Sequence, residues 1–510
     1  MQLPEVEWLV NGEPREVQLE ALRRSYYGYM LRTTKDAEAD PTVMRENCTP
    51  AIGWGHLMEM RLGKTPTLLN EFELFKKYHG FRNMVVLSPN QYKKDWELES
   101  EKYGATVPML AYEQSRLPHM VAAYNAAKGH MSFSVNYEAL QYDETREFLD
   151  SIIGPDTFLA ADESIKIKSH AKSFFQGAML AKKKAKVTRI ATGLPMTQGP
   201  TDWYAQARFI GMYDASNFYA FRGKYCKMGG FKAKQIVGII NPEKLEAEIS
   251  QNAFVAKRKD WGKQSEAEYY EMRLDISPVQ FKHYSEMEQE FITLIETAGG
   301  IEEVVADQVV GKLMKMQQIS SGFVYTESGN AVEIMDPAKT PKMKALLELI
   351  ENELVGKIVI PFHYQKSGEM LLKVLEKYKP ATIFNEGWMG RNGRDYVSEK
   401  ARFNHDPECR VMVGNLVTMK YGHDLTGNPA DRCATTFFFE NNFSLDDRTQ
   451  VEARNTTAFQ DWSNVYIDPF CSPAEQRAIK ALARKENIVE AVLGAYRDNK
   501  VRHQINKTGA

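Results

Sequence analysis

The chain has 510 residues, 43% of them hydrophobic and 26% charged, with a formal net charge of −2. That length predicts two or three domains of ordinary globular composition, and the near-zero charge excludes a uniformly basic nucleic-acid binder, so any such surface must be a local patch. The five cysteines (Cys48, Cys226, Cys409, Cys433, Cys471) form no CxxC pair, which argues against a disulfide framework or zinc site and fits a reducing cytoplasm.

The start of the chain, Met1 to Val10, is acidic and mixed, unlike a signal peptide. Apolar runs are strand-sized, far below the ~20 residues of a membrane span. The polar stretch from Thr33 to Pro50 reads as a loop. A helical pattern runs from Pro66 to Tyr78. Strand-like runs follow at Met84–Leu87, Thr157–Ala160 and Arg189–Thr192, each ending in polar or Gly/Pro punctuation, as buried parallel strands between helices do. The section from Trp203 to Asp336 is rich in helix formers, with a long amphipathic stretch from Phe281 to Thr297. Strand-like runs return at Lys357–Pro361, Arg410–Val413 and Thr435–Phe439. A last helical pattern spans Pro473 to Arg497, with Ser472 as its N-cap.

Three pieces carry chemistry. Glu59-Met60-Arg61-Leu62-Gly63-Lys64-Thr65 opens the first helical pattern, where backbone N–H groups can cradle phosphate, a lysine can neutralise it and a threonine hydroxyl can ligate Mg²⁺. The full phosphate-loop pattern wants glycine where Met58 stands, and alone the triplet reads better as a helix start with a surface lysine. Asp162-Glu163 ends an apolar strand, one carboxylate suited to Mg²⁺ and its neighbour to activating water; alone it equally reads as a helix cap. Thr192-Gly193-Leu194-Pro195 ends the next strand and alone reads as a turn. Their order and spacing is what caps and turns do not explain.

Taken together these pieces resemble the Swi/Snf-type branch of superfamily-two helicases, over most of the chain. Arg15-Glu16-Val17-Gln18 resembles the motif that reads adenine. Val85 to Trp96, with Ser88-Pro89, and Val135-Asn136-Tyr137-Glu138 resemble the next two. Thr192 to Pro195 with Asp202-Trp203 resembles the third motif. Arg258-Lys259-Asp260 and Ile276 to Gln280 with Tyr284 look like branch-specific marks. In the second half Thr340-Pro341-Lys342, Tyr421-Gly422-His423-Asp424-Leu425-Thr426 and Gln450-Val451-Glu452-Ala453-Arg454 continue the match.

The resemblance implies an α/β fold of two RecA-like parallel-sheet lobes, with helical protrusions inserted between them and a C-terminal helix. The implied boundaries are 1–264, 265–335, 336–470 and 471–510. It implies ATP and Mg²⁺ as cofactors. Arg15, Gln18, Gly63, Lys64, Thr65, Asp162 and Gly422 would hold the nucleotide, Thr65 and Asp162 the metal. Glu163, Gln450 and Arg454 would be catalytic. Ser88, Tyr137, Thr192, Trp388, Arg394 and Thr418 would face DNA. Further basic patches, Lys182–Lys184 with Lys186 and Arg189, Arg222–Lys234 and Lys257–Lys263, read equally as solvated faces. Phe437–Phe439 and Trp203 read as packing.

Three departures stand out. Arg61 replaces the family's first loop glycine, Ile165 its usual histidine, and Thr457 the second of two arginines, with Arg448 and Arg432 as nearby substitutes. The expected activity is an ATP-dependent translocase on double-stranded or branched DNA. The setting would be bacterial or phage recombination, repair or fork processing, as a cytoplasmic monomer with a possible protein partner. The rivals are a DNA clamp that keeps the fold and the motor of a restriction or defence complex.

Overall fold

The computed structural model describes residues 6–27, 52–197, 199–229, 235–261, 267–297, 306–326, 328–384, 396–420, 424–442, 444–457, 460, 462–471, 475–476 and 479. The expected loop at Thr33–Pro50, the loop bearing Trp388 and Arg394, Gly422, and nearly all of the expected C-terminal helix lie outside them. The chain divides into two compact units, one within Met1–Gly262 and one within Lys263–Glu486.

The first unit is built on a parallel sheet. Its strands are β1 (Gly53–Met58), β2 (Asn83–Ser88), β3 (Met109–Ala111), β4 (Ser132–Asn136), β5 (Thr157–Asp162) and β6 (Val187–Ala191). A hairpin, β7 (Cys226–Gly229) and β8 (Gln235–Ile239), precedes the last strand, β9 (Ala253–Ala256). The strand order is β3-β4-β2-β5-β6-β1-β9. Every residue of β2, β5 and β6 is buried, as expected of strands covered on both faces. Gly53 has no room for a side chain: a Cβ there would lie 1.8 Å from the carbonyl oxygen of Ile210.

The helix Lys64–His79 follows β1 and packs Leu68, Leu69, Phe72 and Phe75 against Met84, Val86 and Phe158 of the sheet. Gly80 ends it in the left-handed conformation at φ +69°. Lys76, Lys77 and His79 in its last turn complement its dipole.

The second unit has its own parallel sheet. Its strands are β10 (Glu268–Arg273), then the β11–β12 hairpin (Phe323–Tyr325, Ala331–Glu333) set apart from it, β13 (Lys357–Phe362), β14 (Ala381–Ile383), β15 (Val411–Asn415), β16 (Gly427–Asn428), β17 (Asp431–Phe437) and β18 (Val465–Phe470). The order is β10-β18-β17-β13-β15-β14, with β16 antiparallel to β17. Alternate residues face opposite cores: Ile358, Ile360, Val411 and Phe437 to one side, Val359, Met412 and Tyr466 to the other. The fold is thus mixed α/β with two parallel-sheet units. Phe437–Phe439 and Trp203 are fully buried packing.

The section from Trp203 to Asp336 differs from the helical expectation. It does contain helices Pro278–Thr297 and Ala306–Ser321, joined through buried Tyr284, Met316 and Ile319. It also contributes β9 to the first sheet and β10 to the second. The reason is physical: β9 is four residues long, too short for a period, and β10 is an edge strand whose Tyr269 and Tyr270 are exposed, so no apolar run marks it. No helix among the described residues is long and apolar enough to cross a membrane.

Candidate nucleotide-phosphate site

Strands β5, β6 and β1 are neighbours, and their carboxyl ends put Asp162-Glu163, Thr192-Gly193 and the loop Glu59–Gly63 along one sheet edge. Open α/β sheets bind ligands at that edge. The Lys64 Nζ donates to the carbonyl of Met58 at 3.1 Å and stands 3.9 Å from Glu163 Oε1. Thr192 Oγ1 lies 3.5 Å from Glu163 Oε2. Thr65 is half-buried in the first turn of the helix Lys64–His79. Lys64 and Glu163 are thus brought together at the start of the helix whose second residue is Thr65.

Asp162 is held from three sides. Trp96 Nε1 donates to Oδ2 at 2.9 Å, the backbone N–H of Glu163 donates to Oδ1 at 2.9 Å, and the Tyr137 hydroxyl donates to its carbonyl at 2.7 Å. Burial pushes the Asp162 carboxyl up, against the opposing charge of Lys64 and the Trp96 donor. Glu163 sits in the left-handed region at φ 45°, which turns its side chain out of the strand register; strained angles of this kind are enriched at functional sites.

The loop itself takes two left-handed residues, Arg61 at φ 71° and Gly63 at φ 88°. The departure at Arg61 therefore falls where the backbone favours glycine. Gln18 Nε2 donates to the Gly63 carbonyl at 3.2 Å, and Gln18 Oε1 accepts from the Arg15 N–H at 2.8 Å. Arg15 Nη1 donates to the Arg61 carbonyl at 2.6 Å. A Cβ on Gly63 would lie 2.5 Å from Gln18 Nε2. On the other flank Glu59 Oε2 accepts from the Arg258 N–H at 2.9 Å.

Behind the loop is a fully buried ionic cluster. Arg189 on β6 pairs with Glu71 Oε1 at 2.8 Å, and His56 Nε2 on β1 meets Glu71 Oε2 at 3.0 Å. Burial alone would raise the Glu71 carboxyl, but Arg189 and His56 outweigh it and hold it at about 2. Neither this cluster nor the anchoring of Asp162 by Trp96 was visible in the motifs; a buried acid in a helix face gives only a faint signal.

Several sequence expectations are corrected. Ser88, Tyr137 and Thr192 are fully buried, so their side chains do not present a DNA surface; the Tyr137 hydroxyl holds the Asp162 backbone carbonyl and Thr192 Oγ1 lies 3.5 Å from Glu163 Oε2. Arg189 is buried in its ion pair, Lys182 donates to the Arg208 carbonyl at 2.8 Å, and Lys184 pairs with Asp150 at 2.7 Å. Lys183, Lys184 and Lys186 are exposed in that patch. Lys257 is buried. Thr418 is half-buried in the short helix Leu416–Met419.

In the second unit Gln450 and Arg454 lie around the end of the helix Leu445–Glu452, both buried. Arg454 donates to the carbonyls of Gln450 at 3.0 Å and Lys420 at 2.6 Å. Gln450 Nε2 donates to Asp446 at 2.8 Å. Arg448 is not a spare arginine: Asp468, Glu452 and Asn441 take its donors, and its guanidinium covers the Phe438 ring at 3.4 Å. Arg432 stacks on Trp462 at 4.2 Å.

The chain is similar to two solved structures of one archaeal ATPase core. One, the Sulfolobus solfataricus SWI2/SNF2 ATPase core in complex with dsDNA, is 17% identical, with a TM-score of 0.42, covering 97% of this chain and 96% of that chain. The other, the Sulfolobus solfataricus SWI2/SNF2 ATPase core domain, is 18% identical, with a TM-score of 0.40, covering 91% and 86%. No protein-family model matches the chain, and no curated protein matches it.

Proposed function

We propose that the chain is an ATPase that drives movement along double-stranded DNA. The observation that carries the reading is the convergence of Lys64, Thr65, Asp162, Glu163 and Thr192 at the ends of adjacent strands, with Lys64 Nζ 3.9 Å from Glu163. Adjacent parallel strands bring their carboxyl-end loops together; what supports the reading is that those loops carry a lysine, a hydroxyl and two carboxylates, the groups a phosphate with Mg²⁺ requires. The lysine and the loop amides suit phosphate. Thr65 and Asp162 are the residues that would hold Mg²⁺, which would neutralise phosphate charge; the donor set of hydroxyl and oriented carboxylate fits that hard cation. Glu163, turned out of the strand register, accepts the proton of the attacking water. In the second unit, Arg454 and Gln450 are the residues we assign to turnover. Gln18 reads the base.

The DNA end of the reading rests on the order of motifs along the whole chain. It extends to branched DNA and to recombination, repair or fork processing in a bacterial or phage-infected cytoplasm, as a monomer. A weak clamp that keeps the fold is the competing reading. It is favoured by Thr457 standing where a second arginine is expected and by the complete internal pairing of Arg448, which leaves that residue unable to substitute.

The test is ATP turnover with and without duplex DNA for the wild type, Lys64→Ala and Glu163→Gln. Duplex-stimulated turnover in the wild type, lost in both variants, is expected. Equal silence in all three sinks the motor and leaves the clamp. Stronger stimulation by single strands than by duplex sinks the duplex assignment.

A further inference from the structure

Arg61 is a non-glycine residue at φ 71° in the middle of the phosphate loop. A side-chain-bearing residue in that region is strained and persists only where its surroundings fix it. Among the described residues, these contacts help to fix it. Arg15 Nη1 donates to the carbonyl of Arg61 itself at 2.6 Å. Gln18 Nε2 donates to the carbonyl of Gly63 at 3.2 Å. The Leu62 N–H donates to Glu59 at 3.3 Å. Arg15 and Gln18 are tied to each other in turn, Gln18 Oε1 accepting from the Arg15 N–H. The Arg15 and Leu62 contacts hold the two ends of one peptide, the carbonyl of Arg61 and the N–H of Leu62; of these the Arg15 contact comes from a side chain outside the loop. It is also charge-assisted, and such bonds are the stronger kind.

We propose that Arg15 is a positioning residue that holds the phosphate loop in its glycine-type conformation despite Arg61. The loop and the helix Glu16–Leu22 then order together, so the loop amides are aimed before nucleotide arrives. Arg15 acts on the backbone of the loop and not on the ligand. The inference rests on the reading of Lys64 as the phosphate-binding lysine, but its first readout does not need a nucleotide.

The experiment is a double-mutant cycle of Arg15→Ala and Arg61→Gly in the full chain. Arg15 is solvent-exposed, so its truncation leaves the core packing untouched; a thermal melt of each protein checks this. Amide hydrogen exchange at residues 61–63 is measured without nucleotide. Loss of one charge-assisted bond is expected to speed exchange at those amides by about threefold or more in Arg15→Ala. Arg61→Gly relieves the strain, so adding Arg15→Ala to it is expected to change exchange by less than about twofold. Arg15→Lys, which keeps a donor, is expected to restore much of the protection.

Calorimetric binding of ATP with Mg²⁺ follows the same cycle: weaker in Arg15→Ala, recovered in the double variant. An equal loss in both backgrounds overturns the inference, because Arg15 would then act on the nucleotide directly. So does a loss of ATP affinity in Arg61→Gly alone, which would give the Arg61 side chain a direct role. Unchanged loop exchange in Arg15→Ala overturns it as well. If neither the wild type nor Lys64→Ala binds ATP, the nucleotide reading falls, and the exchange cycle still decides the positioning role.

Discussion

The indole N–H of Trp96 ends on the carboxylate of Asp162, 2.9 Å away, although 66 residues separate them. Trp96 is buried in the helix Lys93–Lys102 and Asp162 closes β5. The bond favours the ionised carboxylate, against burial, which raises its pKa.

Trp96→Phe keeps the packing and removes the donor. Turnover is expected to fall about tenfold, in line with one hydrogen bond to a charged group. The acid limb of the pH–rate profile should move to higher pH, since the Asp162 carboxyl loses a group that lowers its pKa. A profile that falls in height but keeps its acid limb would mean that Trp96 matters only for packing.

Arg454→Lys keeps a cation but loses the fork that engages two carbonyls. If Arg454 is the cation used in the transition state, turnover is expected to drop roughly 10³-fold with ATP affinity kept. Arg448→Met should behave oppositely. It leaves Asp468 and Glu452 without their guanidinium partner, so about 3–5 kcal/mol of stability is expected to go, read by denaturant unfolding. Turnover loss without destabilisation in Arg448→Met would reverse the two assignments.

Arg189→Met leaves Glu71 charged in a dry site and is expected to cost about 3–5 kcal/mol. Adding Glu71→Met should return part of it. The pH dependence has a definite sign. The Glu71 carboxyl falls from 4.5 to about 2 on folding, so its contribution is fully present above the unfolded value and is lost as pH falls through the folded one. The wild type should therefore lose stability between pH 4.5 and about 2 more steeply than the double variant. Parallel curves would show that the cluster does not carry that dependence.

Stimulation of turnover by duplex DNA should fall linearly on a logarithmic salt scale and depend little on base sequence, because phosphate contacts dominate such grips. A stimulation that survives high salt, or that tracks one sequence, would point to base readout.

The strands around the site were legible because central parallel strands are continuous apolar runs, and Met84–Leu87 and Thr157–Ala160 lie within β2 and β5. The helix of the phosphate loop was legible from its period. The roles of buried polar groups were not. Tyr137 and Ser88 sit in motifs that a linear reading assigns to a surface, yet packing beneath Asp162 and at the end of β2 buries both. Arg189 read as one more cation in a basic run; only the fold shows that it points inward to Glu71. β9 and β10 escaped because one is short and the other is a polar edge.

The position of β1 in the first sheet has a consequence for synthesis of the chain. β1 is flanked by β6 and β9, with Gly55 opposite Ile190 on one side and Ala253 on the other. Both partners are made long after β1 leaves the ribosome. Pairings this remote form slowly, because the loop-closure entropy must be met first. The loop Glu59–Gly63 thus waits for the last strand of its sheet, and a nascent chain ending before Ala253 carries the loop's sequence without the frame that shapes it. Nucleotide added during refolding should accordingly protect the chain late, after the other strands have paired.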